Sequence, residues 1–159
     1  MILYHGSLEI VEQPRILESN RPLDFGRGFY TTTSLQQALR WVKLRMEQGD
    51  TQLGYVSQFR FERIKELKMR RFRSANEAWV DFVHNNRTKQ GFDHNFDIVE
   101  GPVANDNVYL SFNLYESGII SKAELIRRLK TYKLVDQLLF HSESSLESLS
   151  YIGYKEVKL

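Results

Sequence analysis

Ser34-Leu-Gln-Gln37, Ser74-Ala-Asn-Glu77 and Ser121-Lys-Ala-Glu124 each place a serine, two intervening residues and then Gln or Glu. In this arrangement the serine hydroxyl and the acidic or amide side chain satisfy backbone N–H groups that the first helical turn leaves unpaired, so each instance predicts a helix start. Apolar residues then recur at helical spacing. Leu35, Ala38, Leu39, Val42 and Met46 follow the first serine and predict a helix over 34–48, ended near Gly49. Ala78, Phe82 and Val83 give the second helix its buried face, with Trp79 beside it, and Leu125, Ile126, Leu129 and Tyr132 belong to the third.

What lies between the boxes decides the fold class. Residues 2–7, 54–61, 96–104, 135–141 and 154–159 read as strands, the third of them broken at Gly101-Pro102. Residues 11–22, with Pro14 inside, read as loop. Two more helices are expected, over 107–116 and 144–149. Helices interrupt the strands irregularly rather than after each one, which argues for an α+β fold over a doubly wound sheet. At 159 residues the chain is expected to form a single domain over 1–159 with a core that needs no staples.

The composition removes several chemistries. There is no cysteine, so disulfides and thiolate metal sites are excluded. His5, His84, His94 and His141 are scattered without ligand spacing, and no metal is expected. No apolar run reaches the roughly 18 residues that span a membrane, and no basic-then-apolar leader pattern opens the sequence, so a cytoplasmic protein without membrane partners is expected. The net charge of +2 does not choose a partner. Basic residues interleaved with aromatics between Arg60 and Arg73 suit a nucleic-acid backbone, but Glu62 and Glu66 interrupt the run, which favours a solvated face next to a strand.

Single motifs leave the function open. Gly26-Arg-Gly28 precedes Phe29-Tyr30, but Thr31 stands where a dinucleotide fingerprint needs its third glycine, and no Gly-Lys-Ser/Thr follows for a P-loop. The two glycines are read either as turn geometry or as backbone left bare for a ligand. His5 is a core residue, a surface residue or a ligand contact. No Gly-x-Ser-x-Gly elbow supports a serine hydrolase.

Taken together the pieces say more. Tyr4-His5-Gly6-Ser7, then Gly26-Arg-Gly28-Phe-Tyr30, then a capped helix and a late strand Asp136-Gln-Leu-Leu-Phe-His141 resemble the ADP-ribosyltransferase superfamily, in its diphtheria-toxin and poly(ADP-ribose) polymerase branch. The whole chain also resembles a small uncharacterised bacterial family of that superfamily, through Asp-Phe-Gly-x-Gly-Phe-Tyr and Gly-Pro-Val-Ala-Asn-Asp.

The resemblance implies a split, mostly antiparallel sheet with helices around it, NAD as substrate, and transfer of one ADP-ribose to a protein or nucleic-acid acceptor. It assigns His5, Tyr30 and Gln137 to the catalytic positions, with Gln137 standing where polymerases carry glutamate. Gly6 is expected to let backbone groups reach the nicotinamide carboxamide. His5 and Ser7 are expected on the adenosine ribose, with Gly26 and Gly28 thinning the loop beside the dinucleotide. Tyr30 is expected to stack on the pyridinium, an attraction worth about 0.5–2 kcal/mol.

Gln137 can accept a hydrogen bond from a ribose hydroxyl but cannot act as a general base. Arg87 is therefore an accessory candidate, for the phosphates or the acceptor, and Asn105 and Asp106 are candidates for base supply or for a helix cap. Many small bacterial members are toxins held by an antitoxin, so such a partner is an expectation here. The alternatives are an NAD glycohydrolase and an inactive module on the same fold that binds nucleic acid or protein.

Overall fold

The computed structural model describes residues 1–18, 23–103 and 106–159. Among them run β1 (Ile2–Ser7), β2 (Phe29–Thr32), α1 (Leu35–Gln48), β3 (Leu53–Phe61), β4 (Met69–Arg71), α2 (Glu77–Thr88), β5 (Ile98–Pro102), α3 (Asp106–Glu116), α4 (Lys122–Leu129), β6 (Asp136–Phe140), α5 (Glu143–Leu146) and β7 (Leu149–Lys158). The fold is α+β: seven strands in one mixed sheet, ordered β4-β5-β6-β2-β1-β3-β7, with only β4 and β5 parallel.

Local sequence explains most of these elements. Ser34 and Ser121 cap α1 and α4 as expected, accepting from the N–H groups of Gln37 and Glu124. The second helix differs. Asn76 rather than Ser74 is its cap, accepting from Trp79 N–H at 3.0 Å, and its buried stripe is Trp79, Val80 and Val83, with Ala78 turned to solvent. β5 is not broken at Gly101-Pro102. It runs through to Pro102, paired with Asp136, because a proline on a strand's last residue disturbs the ladder least. β7 starts at Leu149, five residues before the expected 154. Gly153 sits opposite Gln58 at a bulge with φ +146°.

Strand alternation divides the sheet into two faces. On one face Leu3, Phe29, Phe59, Phe61, Ile98, Leu138 and Phe140 form an aromatic-rich core. On the other face helices cover the two ends separately. α1 lies over β1 and β3 on Ala38, Val42, Met46 and Val56, while α2, α3 and α4 cover β5 and β6 around Phe25, Phe72, Trp79, Phe112 and Leu139.

Between the two helical groups the sheet has a seam. β1 pairs β3 along six residues but meets β2 at the single pair Tyr4↔Thr32. Past that pair Gly6 and Tyr30 face one another across parted strands.

Candidate functional site

A cleft of about 1160 Å³ opens over this seam on the helical face. That exceeds the roughly 300–1,000 Å³ of common small-molecule pockets, leaving room for an extended ligand. Its floor is built by register. Gln137, Thr32 and Tyr4 lie in one cross-strand row, and Tyr30 and Gly6 stand on the same face one step along. α1 forms one wall with Gln37, Ala38, Trp41 and Leu44, Asp24 and Tyr109 form the other, and residues of the 9–17 segment form the rim.

Tyr30 is held at both ends. Its hydroxyl donates to the Gly26 carbonyl at 2.6 Å and accepts from Phe25 N–H at 3.1 Å, so the ring closes its own preceding loop. Burial, and then the nearby Asp24 carboxylate, push its ionisation well above the ordinary tyrosine range, so the hydroxyl stays a donor.

That loop is pinned from behind by two histidines. The His94 Nε2 nitrogen lies 2.7 Å from the Phe25 carbonyl, and His141 Nδ1 lies 2.5 Å from that of Arg27. The two ring centroids lie 4.2 Å apart with the planes tilted by 36°, and His141 Nε2 lies 2.9 Å from Asp93. Burial lowers the pKa of His94, partly opposed by its bond to the Phe25 carbonyl.

Gln137 supplies the floor's unmet demand. The residue is 7% exposed and lines the cleft, yet its Nε2 is buried without a hydrogen-bond partner. A buried unpaired amide donor costs about 1–3 kcal/mol, which a ligand acceptor placed there would recover.

The expected residues converge in part. Tyr30, Gly6, Gly28 and Gln137, from three distant segments, all line the cleft. His5 reaches it from the opposite face of the sheet, because alternation along β1 turns its ring onto Phe29 at 4.3 Å. Its Nδ1 donates to the Tyr30 carbonyl at 2.7 Å, bridging the seam, and burial lowers its pKa. Ser7 lies outside the lining, its hydroxyl engaged with the Glu9 backbone in a local turn.

The glycines have packing reasons as well. A Cβ on Gly6 would stand 2.6 Å from Val42 Cγ2, so its bareness admits α1. Gly28, at φ +154°, would bring a Cβ 2.3 Å from Leu139 Cδ1. Gly26 lies outside the lining, at φ +86°, where its carbonyl receives Tyr30.

Arg87 is one layer back. Its Nη1 lies 4.0 Å from Asp24, its Nε lies 3.7 Å from Glu116, and its guanidinium covers the Tyr109 ring at 4.8 Å. Asn105 lies outside the described residues. Asp106 opens α3, and only its backbone is described. No group of three metal-ligating side chains occurs among the described residues.

Asp24, Tyr109 and Trp41 were not expected. Trp41 is 49% exposed on a line with Gln37 and Leu44, beside the buried stripe of α1. A large aromatic residue off a helix's buried stripe was the available signal. Asp24 carried none, because its burial depends on α2 and α3 folding over it.

A family model described as "Protein of unknown function (DUF3990)" matches residues 1–151. No curated protein and no solved structure matches the chain.

Proposed function

We propose that this chain, which belongs to the DUF3990 family of unknown function, is an NAD-dependent mono-ADP-ribosyltransferase of ADP-ribosyltransferase-like fold acting on a macromolecular acceptor. One observation carries the reading. Three segments distant in sequence, around Gly6, Tyr30 and Gln137, meet in one large cleft over a parted strand pair, with an unpartnered buried amide donor at its floor. Those are the segments in which the sequence resembles the superfamily.

In this reading the Tyr30 ring stacks on the nicotinamide, and its tied hydroxyl keeps the ring in place before substrate arrives. Gln137 bonds the ribose. The bond from C1′ to the nicotinamide nitrogen breaks with its electron pair going to that nitrogen, releasing neutral nicotinamide. The oxocarbenium-like ribosyl group then takes an electron pair from an oxygen or nitrogen of the acceptor, whose proton passes to solvent. Gln137 has no role as a base, so single transfer to a good nucleophile is the outcome, not chain elongation.

The test is incubation with NAD labelled in its ADP-ribose part and a cell lysate, followed by nuclease and by protease digestion. Label on a macromolecule, lost in Tyr30→Ala, is expected. No label and no nicotinamide released overturns the enzyme reading. Nicotinamide release without any labelled macromolecule selects hydrolysis, with water as acceptor. Growth arrest on expression, relieved by Tyr30→Ala and by a co-expressed partner protein, tests the extension to a toxin with an antitoxin.

A further inference from the structure

Beside the main cleft lies a second hollow of about 70 Å³, lined by Gln37, Arg40, Val103, Lys133, Leu134 and Val135. It is several times the roughly 10–15 Å³ that admits a water, and far below the roughly 300–1,000 Å³ of a pocket for a whole small molecule. It suits one compact polar group. Gln37, Arg40 and Val103 line both hollows, so the small one is a side recess of the large one.

Two cations border this recess from distant segments. Arg40 and Lys133 are both exposed, and neither enters an ion pair among the described residues. Arg40 Nη2 donates to Gln37 Oε1 at 3.2 Å, which steadies the guanidinium beside the recess. Among the described residues no carboxylate lines it. Asp136 is next in the chain, but strand alternation puts it on the opposite face, with Glu100 and Arg71. A small hollow with two cations at its walls is the chemistry of a phosphate site.

The position of the recess gives it a role. Val135 lies two residues ahead of Gln137, about 7 Å in extended chain. Tyr30, opposite Leu139, lies on the other side of Gln137. In the proposed reaction the nicotinamide over Tyr30 occupies its own side of C1′, so the nucleophile comes from the other, where the recess lies. An unmodified protein acceptor carries nothing to place there. Every nucleotide of a strand carries a phosphate, within one nucleotide's length of its own base and ribose.

We infer that the recess is a phosphate subsite and that the acceptor is a nucleic-acid strand. Arg40 and Lys133 hold a backbone phosphate while the adjoining base or ribose meets C1′ beside Gln137. This rests on the proposed transfer and deepens it by naming the acceptor's class. The bond from C1′ to nicotinamide breaks, a bond from C1′ to a base nitrogen or ribose oxygen forms, and the proton of that atom passes to solvent. Neither cation enters a covalent step.

The experiment titrates the full chain into an end-labelled, mixed-sequence single-stranded oligonucleotide of roughly 12 nucleotides, as DNA and as RNA, read by fluorescence anisotropy. NAD labelled in its ADP-ribose part is then added, and label on the oligonucleotide is expected. Lys133→Gln and Arg40→Gln are each expected to weaken binding about threefold or more, and to lower the slope of log affinity against log salt by about one. Lys133→Arg should restore both, and Lys43→Gln, an exposed cation of α1 that borders neither hollow, should bind like wild type. No binding by folded wild-type protein, or binding indifferent to Lys133→Gln, overturns the inference and leaves the transferase reading standing. Loss of NAD+ affinity in Lys133→Gln with oligonucleotide affinity kept assigns the recess to the dinucleotide's own phosphates and overturns it too. Label on lysate protein alone selects a protein acceptor and does the same. Oligonucleotide binding that depends on Lys133, with no label and no nicotinamide released, upholds the phosphate subsite and removes the transfer, so the two readings fail separately.

Discussion

The two walls of the cleft are built on opposite economies of packing. The α1 wall rests on small side chains and no side chains at all: Ala38 and Val42 sit against Gly6 and Gly54, so the helix lies close to the sheet. The opposite wall is filled by large rings, with Trp79 edge-on to Phe112 at 5.8 Å and Phe25 near Phe72 and Phe82. The first wall has no room to gain an atom, and the second has much to lose. The ionised network of Arg87, Asp24 and Glu116 belongs to the second wall alone. The cleft therefore has a passive side and a charged side, and substitutions on the two should fail in opposite directions.

The largest effect is expected on the aromatic wall. Phe112→Ala removes a fully buried ring that touches Trp79 and supports the Arg87 guanidinium, and should cost about 3–5 kcal/mol by chemical denaturation. Next comes addition on the other wall. Gly54→Ala would set a Cβ 2.4 Å from Val42 Cγ1 and 2.9 Å from Met46 Sδ, an overpacking cost of about 1–3 kcal/mol. Should Gly54→Ala prove neutral while Phe112→Ala is costly, α1 is more yielding than its close seat implies.

Loss of the Asn76 cap comes third: Asn76→Ala should cost about 1 kcal/mol, because Trp79 N–H then has no side-chain acceptor.

The smallest effect is pH-dependent and belongs to the seam and the charged wall. Burial lowers His5 and His94 below the ordinary value of 6.5. The unfolded chain therefore binds protons that the folded chain refuses. Their contribution to stability is complete above about pH 6.5 and is lost as pH falls through the lower folded values. Thermal melts at neutral and mildly acidic pH should show the fall, and His94→Gln should reduce it. An acid-side slope unchanged in His94→Gln would free that ring from its part in pinning the Phe25 carbonyl.

Local signals were readable where they were self-contained. Ser34 and Ser121 each cap with their own following N–H, so no distant residue could alter the outcome. In β4, Met69 to Arg71 are three residues with two exposed arginines, and the strand exists only because β5 lies alongside. The Ser74 box lost to Asn76 two residues later, since the phase of Trp79, Val80 and Val83 decides where the helix begins.

The site divides the same way. The segments around Gly6, Tyr30 and Gln137 could be named from the sequence, but which side of the sheet each side chain takes depends on pairing. Tyr4↔Thr32 and Thr32↔Gln137 set that, and they put the His5 ring on the opposite face of the sheet from the Tyr30 ring. Asp24 meets Arg87 and Tyr109, more than sixty positions further along, so its place in the site could not be read locally.

The single Tyr4↔Thr32 pair at the middle of the sheet has a consequence for cooperativity. The β4-β5-β6-β2 strip and the β1-β3-β7 strip are each fully laddered, and little hydrogen bonding welds one to the other. Amide protons of the two strips should therefore exchange with solvent as two separate families. A ligand lying across Gly6 and Tyr30 touches both strips at once and acts as the missing rung. Its arrival would be read far from the cleft, as two exchange families merging into one.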